Sequence, residues 1–290
     1  MGGEAVDKDP SDGDLSSNYW NGNCYDNGYV FGMDRSPTAQ AFLTCFNEGL
    51  INENSRVMDT AAGYLRDSLF YAQLGHSVTA IDPSTKAITL AMDKEEIRAL
   101  VEDKEKIKVL TSGFQNNGFA KEGFEVFACN RFIQSLVNPN MKEIFNNHAF
   151  SSVRTEGLIL IGARSVDDFD SDVMEFVDKS AGIIKYKDGT EEFKGREDQR
   201  FVLYNEDRFE KEFDKSNSRI KILDFHKASE PERINHDRET SVLVMIAEKL
   251  PKKEIGIDGG GQVRRLGGSS SRMMKTRGHQ EYAAALELQM

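Results

Sequence analysis

Between Asn18 and Leu250, short apolar runs alternate with longer stretches in which apolar residues recur at helical spacing. Short apolar runs bounded by polar residues read as buried strands, and i, i+3, i+4 recurrence reads as amphipathic helix. The pattern predicts strands at Arg56–Asp59, Ser77–Ile81, Ile107–Thr111, Phe124–Cys129, Gly157–Ala163, Arg219–Phe225 and Thr240–Ala247. It predicts helices at Tyr64–Gln73, Thr85–Lys104, Asn140–Phe150 and Glu206–Phe213. Within Thr85–Lys104, Ile88, Met92, Ile97 and Leu100 fall near one face while Asp93, Lys94 and Glu96 occupy others, as expected for a helix laid on a sheet. Strands alternating with helices point to βαβ units around a mostly parallel sheet. Asp167–Gln199 is charged and poorly periodic, and reads as an insertion that covers a site.

The two ends differ from this body. Residues 1–17 are rich in Asp, Gly and Ser with almost no large apolar side chains, so burial cannot offset their ordering entropy and disorder is expected. After the domain at 18–250, residues 251–290 read as a flexible tail: Gly256–Gly278 carries glycine and serine runs, and Tyr282–Leu288 could form only a short, marginal helix. The longest apolar runs, Gly157–Ala163 and Val242–Ala247, fall short of the roughly 20 residues of a membrane span. The N-terminus lacks a charged-then-apolar signal, and a cytoplasmic location is the default expectation.

Composition narrows the chemistry. Three cysteines without a CxxC pair fit a reducing compartment and argue against structural zinc, and five scattered histidines show no HxxxH spacing. A net charge of -11 repels phosphate backbones, so a small-molecule or protein substrate is favoured over nucleic acid. Cys129 reads as a buried structural thiol in preference to a nucleophile, since no histidine is assigned beside it.

The most informative stretch runs from Arg56 to Ser84: strand, small-residue turn, helix, strand, acidic residue. Ala61, Ala62 and Gly63 let a ligand approach the backbone, and the helix that follows offers its N-terminal amides to an anionic group. Asp82, at the end of the second strand, stands where a carboxylate accepts hydrogen bonds from both ribose hydroxyls. Plainer roles fit these residues too: a helix N-cap for Asp82, an ordinary tight turn at Gly63, and a surface ion pair for Arg66 and Asp67.

Here the chain resembles the class I S-adenosylmethionine-dependent methyltransferases, especially small-molecule enzymes with Arg-Asp or Arg-Asn straight after the glycine-rich turn. Phe124-Glu-Val-Phe-Ala-Cys-Asn-Arg-Phe looks like the family's fourth-strand motif, Glu156-Gly-Leu-Ile-Leu-Ile like its fifth strand, and Ile220–Phe225 with Ser241–Ala247 like its closing antiparallel pair. The resemblance implies an α/β, doubly wound, seven-stranded and mostly parallel Rossmann-like sheet with an antiparallel last strand. It implies S-adenosylmethionine as cofactor and methyl transfer to an oxygen, nitrogen or sulfur nucleophile of a small molecule. Carried over by position, Asp59 orients the loop, Ala61 and Gly63 contact the methionine moiety, and Asp82 holds the ribose. Ser112, Gly113 and Phe114 border the adenine. Asn130 and Phe132 line the space between sulfonium and acceptor, and Arg66 with Asp67 contacts the amino-acid end or anchors the loop. Trp20 and Tyr25 either staple the N-terminal segment or roof the acceptor pocket, and Asp168 and Asp170 are candidate bases. Ala61 and Leu65 replace family glycines, which motivates a second reading as a degenerate, non-catalytic binding or regulatory fold. A dinucleotide oxidoreductase shares the strand-turn-helix but would carry GxGxxG, which this turn lacks.

Overall fold

The computed structural model describes residues 25, 28–103, 105–114, 121–190, 199–216, 219–232, 238–251, 255–257 and 263–265. The expected disorder of residues 1–17, Trp20 and the 282–288 helix lie outside the described residues.

Strands β1 (Arg56–Thr60), β2 (Ser77–Ile81), β3 (Ile107–Leu110), β4 (Phe124–Asn130) and β5 (Val153–Arg164) run parallel, with each side of the sheet covered by helices. Burial on both faces explains their near-continuous apolar runs. Adjacent residues feed opposite cores, as the pleat requires: Val57 belongs to the core that includes Phe42, Leu69 and Tyr71, whereas Met58 belongs to the one that includes Phe145, Phe209 and Phe213. The first layer is built from α1 (Pro37–Asn47) and α2 (Arg66–Gln73), the second from α5 (Pro139–Ser152) and α6 (Glu206–Ser216).

The sheet has seven strands in the order β3-β2-β1-β4-β5-β10-β9. A long hairpin of β9 (Ile220–Glu232) and β10 (Arg238–Lys249) closes it, with β10 antiparallel to β5. This is the doubly wound sheet with reversed last strand that the sequence predicts. The hairpin outruns its expected limits because its far end pairs polar residues, Glu230 against Thr240, and both are buried.

Helix α1 has no counterpart among the expected elements. Ser36 caps it, accepting the Ala39 N–H at 3.1 Å, and Pro37 presets its first turn. The helix expected over Thr85–Lys104 is two: α3 (Thr85–Met92) and α4 (Glu95–Glu102). Lys94 is extended at the break, where Tyr29 Oη donates to the Leu90 carbonyl at 3.0 Å and Arg98 Nε to that of Met92 at 3.0 Å. Side chains thus take up carbonyls at the end of α3.

The charged insertion also folds. Strands β6 (Met174–Asp178), β7 (Ile183–Tyr186) and β8 (Arg200–Val202) form an antiparallel sheet over a small core of Met174, Ile184, Tyr186, Phe201 and Leu203. Its root is the buried Arg164, which pairs with Asp168 and donates to Tyr186 Oη at 2.8 Å.

The chain divides into two compact units after Leu250. In the second, β11 (Ile255–Ile257) pairs antiparallel with β12 (Val263–Arg265), so part of the segment expected to be a tail forms a short hairpin. Among the described residues, no helix is long and apolar enough to cross a membrane.

Candidate functional site

The turn after β1 has an unusual backbone. Ala61, Gly63 and Leu65 are all left-handed, with φ of 57°, 55° and 62°. Only glycine adopts this conformation without cost; elsewhere it costs roughly 1–2 kcal/mol per residue. Leu65 tolerates it because its side chain is fully buried in the first core layer, directly before α2. The turn is held from below by Asp82, whose Oδ2 accepts the Gly63 N–H at 2.8 Å while Oδ1 accepts the Ser84 N–H at 2.8 Å. Burial lifts the Asp82 carboxyl to about 6, against the lowering effect of those two N–H donors. From above, Tyr25 covers it: a Cβ placed on Gly63 would stand 3.0 Å from Tyr25 Oη.

Asp59, at the end of β1, points to the helix and accepts from Ser68 Oγ at 2.6 Å. Burial and then the nearby Asp67 charge push its carboxyl up to about 8, with Ser68 opposing.

Arg66 and Asp67 are buried, and the surface-pair reading is corrected: each is 8 % exposed or less. Asp67 accepts from the Ser36 N–H at 3.1 Å and from Ser36 Oγ, so it anchors the cap of α1. Arg66 donates to the Phe31 carbonyl at 2.9 Å and pairs with Glu230. Burial opposes the Arg66 charge, but Glu230 and Asp67 outweigh it and hold the guanidinium protonated. Glu230, 1 % exposed, also accepts from Arg131 at 3.3 Å and from Asn130 Nδ2 at 3.3 Å. Phe31 lies under both guanidiniums, 4.6 Å from Arg131 and 5.5 Å from Arg66. Asn130 Oδ1 in turn accepts from Thr38 Oγ1 at 2.9 Å, over a spot where a side chain on Gly162 would collide with both. Thr38, Gly162 and Glu230 escape sequence reasoning because they lie 32 to 164 residues from their partners here; only the Ser36-Pro37 helix start hinted at the first.

The remaining candidates sit elsewhere on the rim. Ser112 and Gly113 follow β3 beside Asp82, whose N–H and that of Ser112 share the Leu110 carbonyl at 3.2 and 3.0 Å. Phe114 and Phe132, expected to touch different moieties, are edge-to-face neighbours with centroids 5.6 Å apart, and both lie against Phe145. Asp168 is corrected as a candidate base, because its carboxylate is committed to Arg164, and Asp170 is exposed, receiving the Asp172 N–H at 2.8 Å. Trp20 is outside the described residues. Among them no cluster of metal-ligating side chains occurs.

No family model and no curated protein matches the sequence. Solved structures do match. A methyltransferase from Methanosarcina mazei superposes with TM-score 0.54 at 18% identity, covering 71% of this chain and 97% of its own. The 1,6-didemethyltoxoflavin-N1-methyltransferase of Burkholderia thailandensis, holding S-adenosylhomocysteine, gives 0.55 at 14%, over 82% and 86%. The magnesium protoporphyrin IX methyltransferase of Synechocystis PCC 6803, holding S-adenosylmethionine, gives 0.54 at 12%, over 84% and 99%. The chain has the class I methyltransferase fold.

In a methyltransferase fold of this strand order, the turn after β1 and the acidic residue after β2 face the crevice at the carboxyl edge, where open α/β sheets receive ligands. Asp82 keeps acceptor capacity there: a carboxylate offers about four lone-pair sites, and two N–H donors occupy two.

Proposed function

We propose that this chain binds S-adenosylmethionine at the carboxyl edge of β1 and β2 and transfers its methyl group to an oxygen, nitrogen or sulfur nucleophile of a small molecule. The observation that carries this reading is the Asp82–Gly63 bond, which sets a buried carboxylate directly against the glycine of the turn after β1. The remaining acceptor sites of Asp82 suit a pair of ribose hydroxyls, and Gly63 gives the methionine moiety backbone to approach. Ser112, Gly113 and Phe114 continue the rim where an adenine would lie.

The cofactor's sulfonium is already an activated electrophile, so positioning supplies much of the rate and a general base matters only for a protonated nucleophile. That suits a site in which Asp168 is withdrawn into an ion pair. The folded insertion follows β5 and is a natural source of acceptor contacts.

A second reading, a degenerate fold that binds without catalysing, draws support from the left-handed Ala61 and Leu65 at glycine positions. Calorimetric titration with S-adenosylmethionine, S-adenosylhomocysteine and NADH separates the alternatives. Micromolar binding of the first two alone is expected. Binding of neither would replace the methyltransferase reading with the degenerate scaffold, and binding of NADH alone would make the site a dinucleotide site.

A further inference from the structure

Asn130 ends β4 beside the turn after β1. Val57, Met58 and Asp59 of β1 lie level with Val126, Phe127 and Ala128 of β4, so two residues further on Asn130 comes level with Ala61, where the turn begins. The sheet order places its topological switch between these same two strands, since the chain leaves β1 for β2 and β3 on one side and β4 for β5 on the other. Ligands of open α/β sheets sit outside the carboxyl ends at such a switch. Asn130 is partly exposed there, whereas Thr38 and Glu230, which hold its side chain, are 0 % and 1 % exposed.

Those two partners fix which way the amide faces. Glu230, on β9, receives Arg66 and, at 3.3 Å, Arg131; guanidiniums only donate, so its oxygens act as acceptors. The Asn130 NH2 group must therefore turn to Glu230, which it meets at 3.3 Å, and Oδ1 to Thr38, whose hydroxyl donates at 2.9 Å. The reverse orientation would set Oδ1 against the carboxylate. Gly162, paired with Asn130 on β5, leaves the room: a Cβ there would stand 2.5 Å from Thr38 Oγ1 and 2.7 Å from Asn130 Oδ1. A side-chain amide offers two N–H donors and two acceptor sites. One of each is taken, and one N–H and one lone pair remain.

We infer that Thr38, from α1, and Glu230, from the closing hairpin, are positioning residues that hold the Asn130 amide toward the zwitterionic amino-acid end of the adenosyl cofactor. A spare donor and a spare acceptor on one group match an α-carboxylate, which accepts, and an α-ammonium, which donates. The adenosine end offers no such pair of charges. The inference rests on the cofactor reading above and goes beyond it: discrimination of the amino-acid end depends on two residues that lie 92 and 100 positions from Asn130 in the chain.

The test is calorimetric titration of the full chain with S-adenosylhomocysteine and with 5′-methylthioadenosine, which keeps the adenosine and the thioether but has no amino-acid end. Asn130→Ala should weaken S-adenosylhomocysteine by about tenfold or more and leave 5′-methylthioadenosine within about twofold, since charge-assisted bonds are lost to the first ligand alone. Thr38→Val, equal in shape but without the hydroxyl, should weaken the first ligand about threefold and spare the second. Glu230→Gln, whose amide can face Asn130 either way, should do the same. A merely structural role would lower both affinities together. In variants shown to be folded by circular dichroism, equal loss for the two ligands, or loss for neither, overturns the inference while the cofactor site stands. A selective loss in Asn130→Ala, with Thr38→Val and Glu230→Gln both unchanged, would refute the positioning roles. Wild type that binds neither ligand would overturn this inference and the cofactor reading together.

Discussion

The Asp82 carboxylate, following β2, accepts the backbone N–H of Gly63 at 2.8 Å, so one acidic side chain shapes the turn after β1. That bond makes the turn sensitive to proton uptake. The Asp82 carboxyl lies near 6 because burial raises it more than its two N–H donors lower it. Its ionised form is the better acceptor for both ribose hydroxyls and the Gly63 amide. Affinity for S-adenosylhomocysteine should be flat above pH ~7 and fall toward about tenfold per pH unit below pH ~6, one proton being taken up. Calorimetry between pH 5 and 8 measures this, and an affinity that is unchanged at pH 5 would remove Asp82 from the ligand contacts.

Asp59 gives an opposite lesson, about stability. Burial, then the charges of Asp67 and Asp82, raise it to about 8 from 3.8, with Ser68 opposing. Between those values the folded chain holds a proton that the unfolded chain has lost. Stability therefore declines as pH rises through the window from ~4 to ~8. Asp59→Asn keeps an acceptor for Ser68 and cannot ionise, so its Tm should fall less than that of wild type between pH 5.5 and 8. Differential scanning fluorimetry across that range decides the matter. Parallel curves would mean that Asp59 does not titrate there.

The fold was legible because buried parallel strands announce themselves: the β1, β2 and β4 runs appear at nearly their observed limits. The places of Asp59, Gly63 and Asp82 in the fold were legible for the same reason, each being fixed by short-range position at the end of a strand or in the turn behind it. What stayed hidden has a common physics. Helix α1 lacks acidic residues in its first turn and basic residues in its last, leaving only Ser36 and Pro37 to mark it. Glu230 reads as one more charge in a polar hairpin, and its burial depends on Arg66, 164 residues away. The break between α3 and α4 is stabilised by Tyr29, which is 61 residues from the carbonyl it bonds. Periodicity carries information about local faces and none about such partners.

Two residues in glycine positions should respond to glycine with opposite signs. At Ala61, φ 57°, the change to Gly removes roughly 1–2 kcal/mol of left-handed strain and adds about 0.4–1 kcal/mol of unfolded-state entropy, a net gain of ~0–1.6 kcal/mol. Leu65 has the same backbone, yet its fully buried side chain is worth about 2–5 kcal/mol by the usual large-to-small cost. Leu65→Gly should therefore destabilise by ~0.4–5 kcal/mol in urea denaturation. Equal losses at both sites would show that neither relief of left-handed strain at Ala61 nor the buried side chain of Leu65 decides the response.

Glu230 ties the hairpin to Arg66, beside the turn, and to Asn130 and Arg131 after β4. Its carboxylate, 1 % exposed, receives Arg66, Arg131 and Asn130. Removing it takes from two buried guanidiniums the carboxylate they share; Arg66 keeps the Phe31 carbonyl and Asp67, 3.8 Å from its Nε, and Arg131 keeps Thr240 Oγ1. Breaking one side of a buried pair costs about 3–5 kcal/mol, and Glu230→Ala should lose that much in urea denaturation. The loss should be shared unequally: Glu230→Gln keeps acceptor and donor atoms in place and loses less. Arg131→Met combined with Glu230→Ala should cost less than the sum of the single changes, because the second mutation removes one of the charges the first left unpaired. Strict additivity in that double-mutant cycle would mean that Arg131 and Glu230 do not interact energetically, whatever their 3.3 Å separation.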